Sequence, residues 1–362
     1  MAETKKTDRV FWLDAARAFA IISISMNHAY NRAFEGSGGA FALSLLKAFL
    51  QISSRLGVPL FLMITGVLLL DRDYTDRSIS ERFYRHNWLS LFITAEIWFL
   101  IMFLYKSAAP GSILRTQGIG AFLLQILSNA LFINQDSFAS MWYMTMILCV
   151  YLLIPAIALA IRFIRGRLLL IPLSVAVLSA FFFPNLNSVV SLISGGSGPH
   201  LEFALSIANL FSIYVVYIVI GYWIGKGGLS RMKKGLLLLC TAAAFAATVA
   251  YQLYAFLRPG GYVIKYHSIA VLLSSALLFE CFRRCGCPPE KPRAAVTALS
   301  TISFGVYFVH ICIMSGLVYI VPKSIGPLPY FLVLELVSLI GSILIILPLR
   351  RFKRLSRLLF RI

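Results

Sequence analysis

Three side chains able to bind, pair or move protons interrupt an apolar run near the start of the chain: Asp14, Arg17 and His28, within FWLDAARAFAIISISMNHAYNR, residues 11–32. An imidazole such as His28 changes protonation near neutral pH and suits general-base work on a hydroxyl. The guanidinium of Arg17 is a fixed positive fork, suited to a carboxylate, a phosphate or a developing oxyanion. The two stand eleven positions apart. At about 100° and about 1.5 Å per residue, that spacing puts both on one helix face, roughly 16 Å apart along the axis. Asp14, one turn before Arg17, is at a spacing that allows an ion pair. The blander reading makes Arg17 a snorkelling interface anchor and His28 a hydrogen-bonding residue between helices.

Further polar and aromatic groups occupy apolar surroundings. Glu96 falls in LFITAEIWFL, where a carboxylate at membrane depth needs a reason. It could orient His28, pair with Arg55, or stay protonated as a packing residue. Trp142 and Tyr143 open another apolar run, as a platform for a sugar ring or as part of an interfacial aromatic belt. His310, with Ser303 two turns before it, is either a lining residue of the same pathway or a packing residue. Arg82 and Arg85 are one turn apart, ahead of the run that holds Glu96. Cys281, Cys285 and Cys287 lack a nearby His and read as free thiols, so no metal is expected. The sequence contains no phosphate-binding Gly loop and no Gly-x-Ser-x-Gly elbow.

The elements that carry these groups must live in a bilayer. Of 362 residues, 59% are hydrophobic and 13% charged, with a mean hydropathy of +0.84. Soluble domains carry about a quarter charged residues. Runs long enough for the ~20 residues that cross a hydrocarbon core fall near 11–31, 47–70, 87–105, 141–161, 168–184, 204–224, 236–257, 264–282, 299–320 and 329–349. The segment 118–136 is shorter and broken by Asn129.

With ten spans and a cytoplasmic N-terminus, 24 of the 33 Lys and Arg lie on inner segments and six on outer ones, while Arg17, Lys47 and Arg55 lie in or beside spans. A further span at 118–136 would turn the later basic loops outward, against the positive-inside bias. The expected fold is therefore all-α, a polytopic bundle of ten transmembrane helices plus one re-entrant or interfacial helix. It forms a single membrane domain over 1–362, with both termini cytoplasmic. The first apolar run continues without a small-residue cleavage site and is read as a retained span. The +19 formal charge is accounted for by cytoplasmic loops, so no nucleic-acid partner is expected. The stretch 185–203 reads as a Gly/Ser loop.

The run RVFWLDAARAFAIISISMNH resembles the first helix of the acyltransferase 3 family, whose hallmark is an Arg, ten residues and a His; here these are Arg17 and His28. Collinear matches follow. GVPLFLMITGVLLL (57–70) is similar to the family's second helix, with Thr65 in place of the usual Ser before Gly66. ERFYRHNWLSLF (81–92) resembles its Arg-x-x-Arg segment, MWYMTMILCVYLLIP (141–155) the helix of the branch without an added extracytoplasmic domain, and GYWIGK (221–226) and ISFGVYFVHICIM (302–314) its later helices.

The resemblance implies an integral-membrane O-acyltransferase of the bacterial inner membrane. Its co-substrate would be an acyl-CoA, usually acetyl-CoA, and its acceptor a hydroxyl of a cell-surface polysaccharide or lipid-linked glycan precursor. It assigns catalysis to His28 and Arg17 and acyl-CoA phosphate contacts to Arg82 and Arg85. His28 could activate the acceptor or carry the acyl group itself. The rival readings are a transporter or flippase for a glycan precursor, with Arg17, Glu96 and His28 along its path, and a catalytically dead sensor in the same fold.

Overall fold

The structure, a computed structural model, describes residues 10–37, 40–107, 116–130, 141–164, 167–194, 213–258 and 262–361. All regular structure among these residues is helical. That is what a bilayer demands, because a helix satisfies its backbone polar groups within one segment. The helices are α1 (Phe11–Ala33), α2 (Phe41–Arg55), α3 (Gly57–Leu69), α4 (Arg77–Phe83), α5 (Leu89–Ser107), α6 (Gly118–Ala130), α7 (Trp142–Phe163) and α8 (Arg167–Val177). They continue with α9 (Phe183–Ile193), α10 (Ile213–Gly225), α11 (Lys234–Phe256), α12 (Ile269–Arg283), α13 (Glu290–Ile320), α14 (Pro327–Leu349) and α15 (Lys353–Phe360). The π turns Tyr84–Trp88 and Leu178–Phe182 join α4 to α5 and α8 to α9.

Among the described residues, seven helical stretches are long and apolar enough to cross a membrane: Phe41–Leu69, Arg77–Ser107, Trp142–Phe163, Leu173–Ile193, Lys234–Phe256, Glu290–Ile320 and Pro327–Leu349. The protein is an integral membrane protein. The other three expected spans correspond to α1, which holds Asp14, Arg17 and Arg32, to α10, whose expected first residues 204–212 lie outside the described residues, and to the fifteen-residue α12. The short helix expected in 118–136 is α6; residues 131–136 lie outside the described set.

Several boundaries differ from the sequence reading. The expected span 47–70 is two helices, α2 and α3, meeting at Leu56. Pro59 has no N–H to give the Arg55 carbonyl, so the break falls one turn before it. The expected loop at 185–203 is a helix as far as Ile193: α8, the π turn Leu178–Phe182 and α9 run on as one helical stretch through Pro184, which follows directly on the π turn, while residues 195–203 lie outside the described set. The third span begins at Arg77 rather than 87, capped by the Asp76 side chain, which accepts from the Ser78 N–H at 2.7 Å. Arg82 and Arg85 are thus on a helix and not on a loop.

The chain forms two compact units, Met1–Asn27, Gly38–Leu68 and Pro172–Ser303 in the first, and His28–Ser37, Leu69–Ile171 and Phe304–Ile362 in the second. In the first unit, α3 and α10 touch backbone to backbone. A methyl added at Gly66 would stand 2.0 Å from the Ile218 carbonyl oxygen, and one at Gly221 would stand 2.3 Å from the Met63 Cα. Small residues at such crossings let membrane helices approach closely. Backbone cannot swing aside as a flexible side chain does, so Gly66→Ala is expected to destabilise by at least about 2–3 kcal/mol. A lower thermal-unfolding temperature of the detergent-solubilised protein would show it, and an unchanged one would contradict the crossing.

In the second unit, the π turn that leads into α5 is tied to α7 by the Trp88 indole N–H, which donates to the Leu148 carbonyl at 3.0 Å. Trp98 stacks on Phe308 of α13, with centroids 4.6 Å apart. The helix α15 was not anticipated. Its last turn docks on α5, where Thr94 Oγ1 donates to the Leu358 carbonyl at 3.0 Å and Trp98 Nε1 to the Leu359 carbonyl at 2.8 Å. Those bonds satisfy carbonyls that a helix C-terminus leaves unpaired. Phe360 is buried over Gly305.

Candidate functional site

The helix α1 runs unbroken from Phe11 to Ala33 and carries Asp14, Arg17 and His28. In the first unit the Asp14 carboxylate is 2% exposed. Ser300 Oγ donates to its Oδ1 at 2.7 Å, and Thr297 Oγ1 to its Oδ2 at 3.3 Å. Arg17 Nη1 lies 3.8 Å from Asp14 Oδ1 and donates to Ser300 Oγ at 3.4 Å. The expected pair exists, but two hydroxyls of α13 hold the carboxylate more closely than the guanidinium does. A buried carboxylate needs such donors to offset its desolvation. Neither Thr297 nor Ser300 stood out in the sequence, because a pair of hydroxyls one turn apart is common and their partner is some 280 residues away.

In the second unit the His28 ring lies 5.4 Å from the His310 ring, centroid to centroid, tilted by 47°. His310 is fully buried. Its Nδ1 lies 2.7 Å from the Val306 carbonyl of its own helix. A carbonyl only accepts, so Nδ1 carries the hydrogen, and in the neutral ring Nε2 keeps its lone pair. Among the described residues Nε2 has no hydrogen-bond partner. His310 therefore places a buried, fixed acceptor beside His28.

Arg32, one turn beyond His28, donates from Nη1 to the His28 carbonyl at 3.1 Å. Aromatic rings extend the cluster. Tyr307 is 6.2 Å from His310, Tyr143 is 5.7 Å from Tyr307, and Trp142 stands edge-on to Tyr143 at 6.2 Å. A chain of ring contacts through Tyr307 thus links His28 and His310 to the Trp142 and Tyr143 pair.

The other expected residues have surroundings of their own. The Ser303 hydroxyl bonds the Ser300 carbonyl of its own helix at 2.8 Å. Glu96 lines a cavity of about 240 Å³ with Ile97, Phe99, Leu100, Phe103, Ile126, Asn129 and Ala130, and its Oε1 has no hydrogen-bond partner among the described residues. In the first unit Arg55 stands over the Tyr266 ring, 5.2 Å from its centroid. Arg82 and Arg85 are exposed on the polar start of the helix that leads into α5. Beside them, Arg361 donates to the His86 and Asn87 carbonyls at 3.3 Å each, at the π turn where the regular bonding pattern widens.

Among the described residues this is a helical membrane protein in which the half-buried imidazole of His28 stands beside the fully buried imidazole of His310. The profile of the acyltransferase 3 family, described as an acyltransferase domain, matches residues 10–347. The chain belongs to that family. No curated protein and no solved structure matched it.

Proposed function

We propose that this membrane acyltransferase is an acetyl-CoA-dependent O-acetyltransferase of the bacterial inner membrane. It would act on a hydroxyl of a cell-surface polysaccharide or of a lipid-linked glycan precursor. Ten spans with both termini cytoplasmic accompany this reading. Seven long apolar helices support this reading, with α1, α10 and α12 proposed as the other three spans, and the excess of Lys and Arg on the inner segments supports the orientation.

The observation that carries the proposal is the His28–His310 pair in a chain of this family. A sugar hydroxyl is a weak nucleophile near neutral pH and needs a base as it attacks. In the proposed reaction the hydroxyl oxygen attacks the thioester carbonyl carbon and its proton passes to the His28 imidazole. The carbon–sulfur bond then breaks, and the CoA thiolate leaves and takes up a proton. The Nε2 lone pair of His310 accepts a hydrogen bond from the His28 ring or from a neighbouring hydroxyl of the acceptor and so fixes the geometry. Arg17 serves the donor side, and the exposed Arg82 and Arg85 contact CoA phosphates. Glu96, in its apolar cavity, lines the pathway.

The test is purified protein with labelled acetyl-CoA. Free CoA should appear only when an envelope-glycan extract is added, and the label should leave with the glycan. With no acceptor present, no label should remain on the protein; a labelled histidine would replace the base role of His28 with a covalent one. Movement of glycan across vesicles without CoA release would instead establish the transporter reading.

A further inference from the structure

We infer that the acceptor is an anionic molecule, and that Arg32 holds its phosphate or carboxylate beside the hydroxyl to be acylated. The inference rests on the acyl-transfer reading for the word acceptor, but the anion site itself stands on the second unit alone. Arg32 follows His28 by four positions, so the two side chains leave nearly the same face of α1. Its guanidinium is half-buried, and its partners are both neutral: the His28 carbonyl at 3.1 Å and the Met314 thioether at 3.5 Å. A thioether is a weak acceptor. No carboxylate among the described residues forms an ion pair with Arg32, which is unusual for a guanidinium partly withdrawn from water.

What surrounds Arg32 is further positive charge and unspent hydrogen-bonding capacity. Lys106 lies within electrostatic reach of it. So does the Tyr330 hydroxyl, on a side chain 1% exposed, and this hydroxyl has no hydrogen-bond partner among the described residues. His310, also within its reach, keeps the unpartnered Nε2. A cation and a buried O–H donor suit an anionic oxygen, while a buried lone pair suits a hydroxyl proton. A sugar phosphate or a uronic acid offers both groups on one molecule, whereas a neutral sugar leaves the guanidinium without a counter-charge.

The full-length protein in lipid nanodiscs, titrated with glucose 1-phosphate, glucuronate and glucose, tests this by thermal unfolding. One of the two anionic sugars should raise the unfolding temperature, identifying phosphate or carboxylate, and glucose should not. Arg32→Gln should weaken the apparent affinity for that sugar by at least about tenfold, as expected for a lost charge-assisted hydrogen bond. Tyr330→Phe, which keeps the ring, should weaken it less and gives a reading even if Arg32→Gln fails to fold. A response to glucose equal to that for the anions, no response to either anion, or an undiminished response in both variants would overturn the inference. Because this measurement uses no acyl donor, absence of acyl transfer would count against the proposed reaction without deciding the anion site. Where transfer occurs, the labelled product should bind an anion exchanger; product in the neutral flow-through would also overturn the inference.

Discussion

His28→Ala should reduce acceptor-dependent CoA release by about 10²–10⁴-fold, the range expected when a general base is removed. His28 and His310 stand side by side, and their roles can be separated by choice of substitution. In His310→Asn the side-chain amide N–H can still donate to the Val306 carbonyl that now receives Nδ1–H, but nothing remains where Nε2 stood. In His310→Gln the amide reaches toward the Nε2 position instead. If the Nε2 lone pair fixes the geometry of the transfer, His310→Asn should lose activity by about tenfold or more while unfolding near the wild-type temperature, and His310→Gln should retain more of it. Equal losses in the two, each with lowered stability, would mean that His310 only fills space. Full activity in His28→Ala would remove the base from the scheme.

The degree to which the site could be read from sequence followed the range of the interactions. Arg17 and His28 were legible because helix periodicity is local: eleven residues of an unbroken helix determine their common face. His310 was visible as an isolated imidazole, but its pairing with His28 depends on how α13 packs beside the end of α1, which no spacing encodes. The Asp14 donors Thr297 and Ser300 were hidden for the same reason.

The apolar runs marked most helices, and their errors were ones of termination. The expected span ended at Pro184, yet the helix runs on through it to Ile193, with the π turn Leu178–Phe182 directly before the proline. The polar beginnings of the helices at Arg77 and Glu290 were invisible to hydropathy, because a helix of 31 residues is about 46 Å long and extends beyond the ~30 Å hydrocarbon core. For α15 no apolar run existed at all; only the docking of Phe360 and two side-chain bonds from α5 explain its place.

Arg17→Lys should lose acyl transfer by about 10²-fold despite keeping the charge, because an ammonium cannot reproduce a planar fork aimed at two oxygens. The structure sharpens why this comparison is informative. Had Asp14 depended on Arg17 for its burial, any Arg17 substitution would strand a carboxylate, and lost activity would report only misfolding. Ser300 and Thr297 instead already donate to both carboxylate oxygens, and Arg17 stands at 3.8 Å. Arg17→Lys and Arg17→Ala should therefore unfold within a few degrees of the wild type, while Ser300→Ala, which removes the 2.7 Å donor, should lower the unfolding temperature more than either. Stability falling in step with activity across the two Arg17 variants would make Arg17 a structural partner of Asp14. Activity lost at constant stability, with a raised KM for acetyl-CoA in Arg17→Lys, would place the guanidinium on the donor.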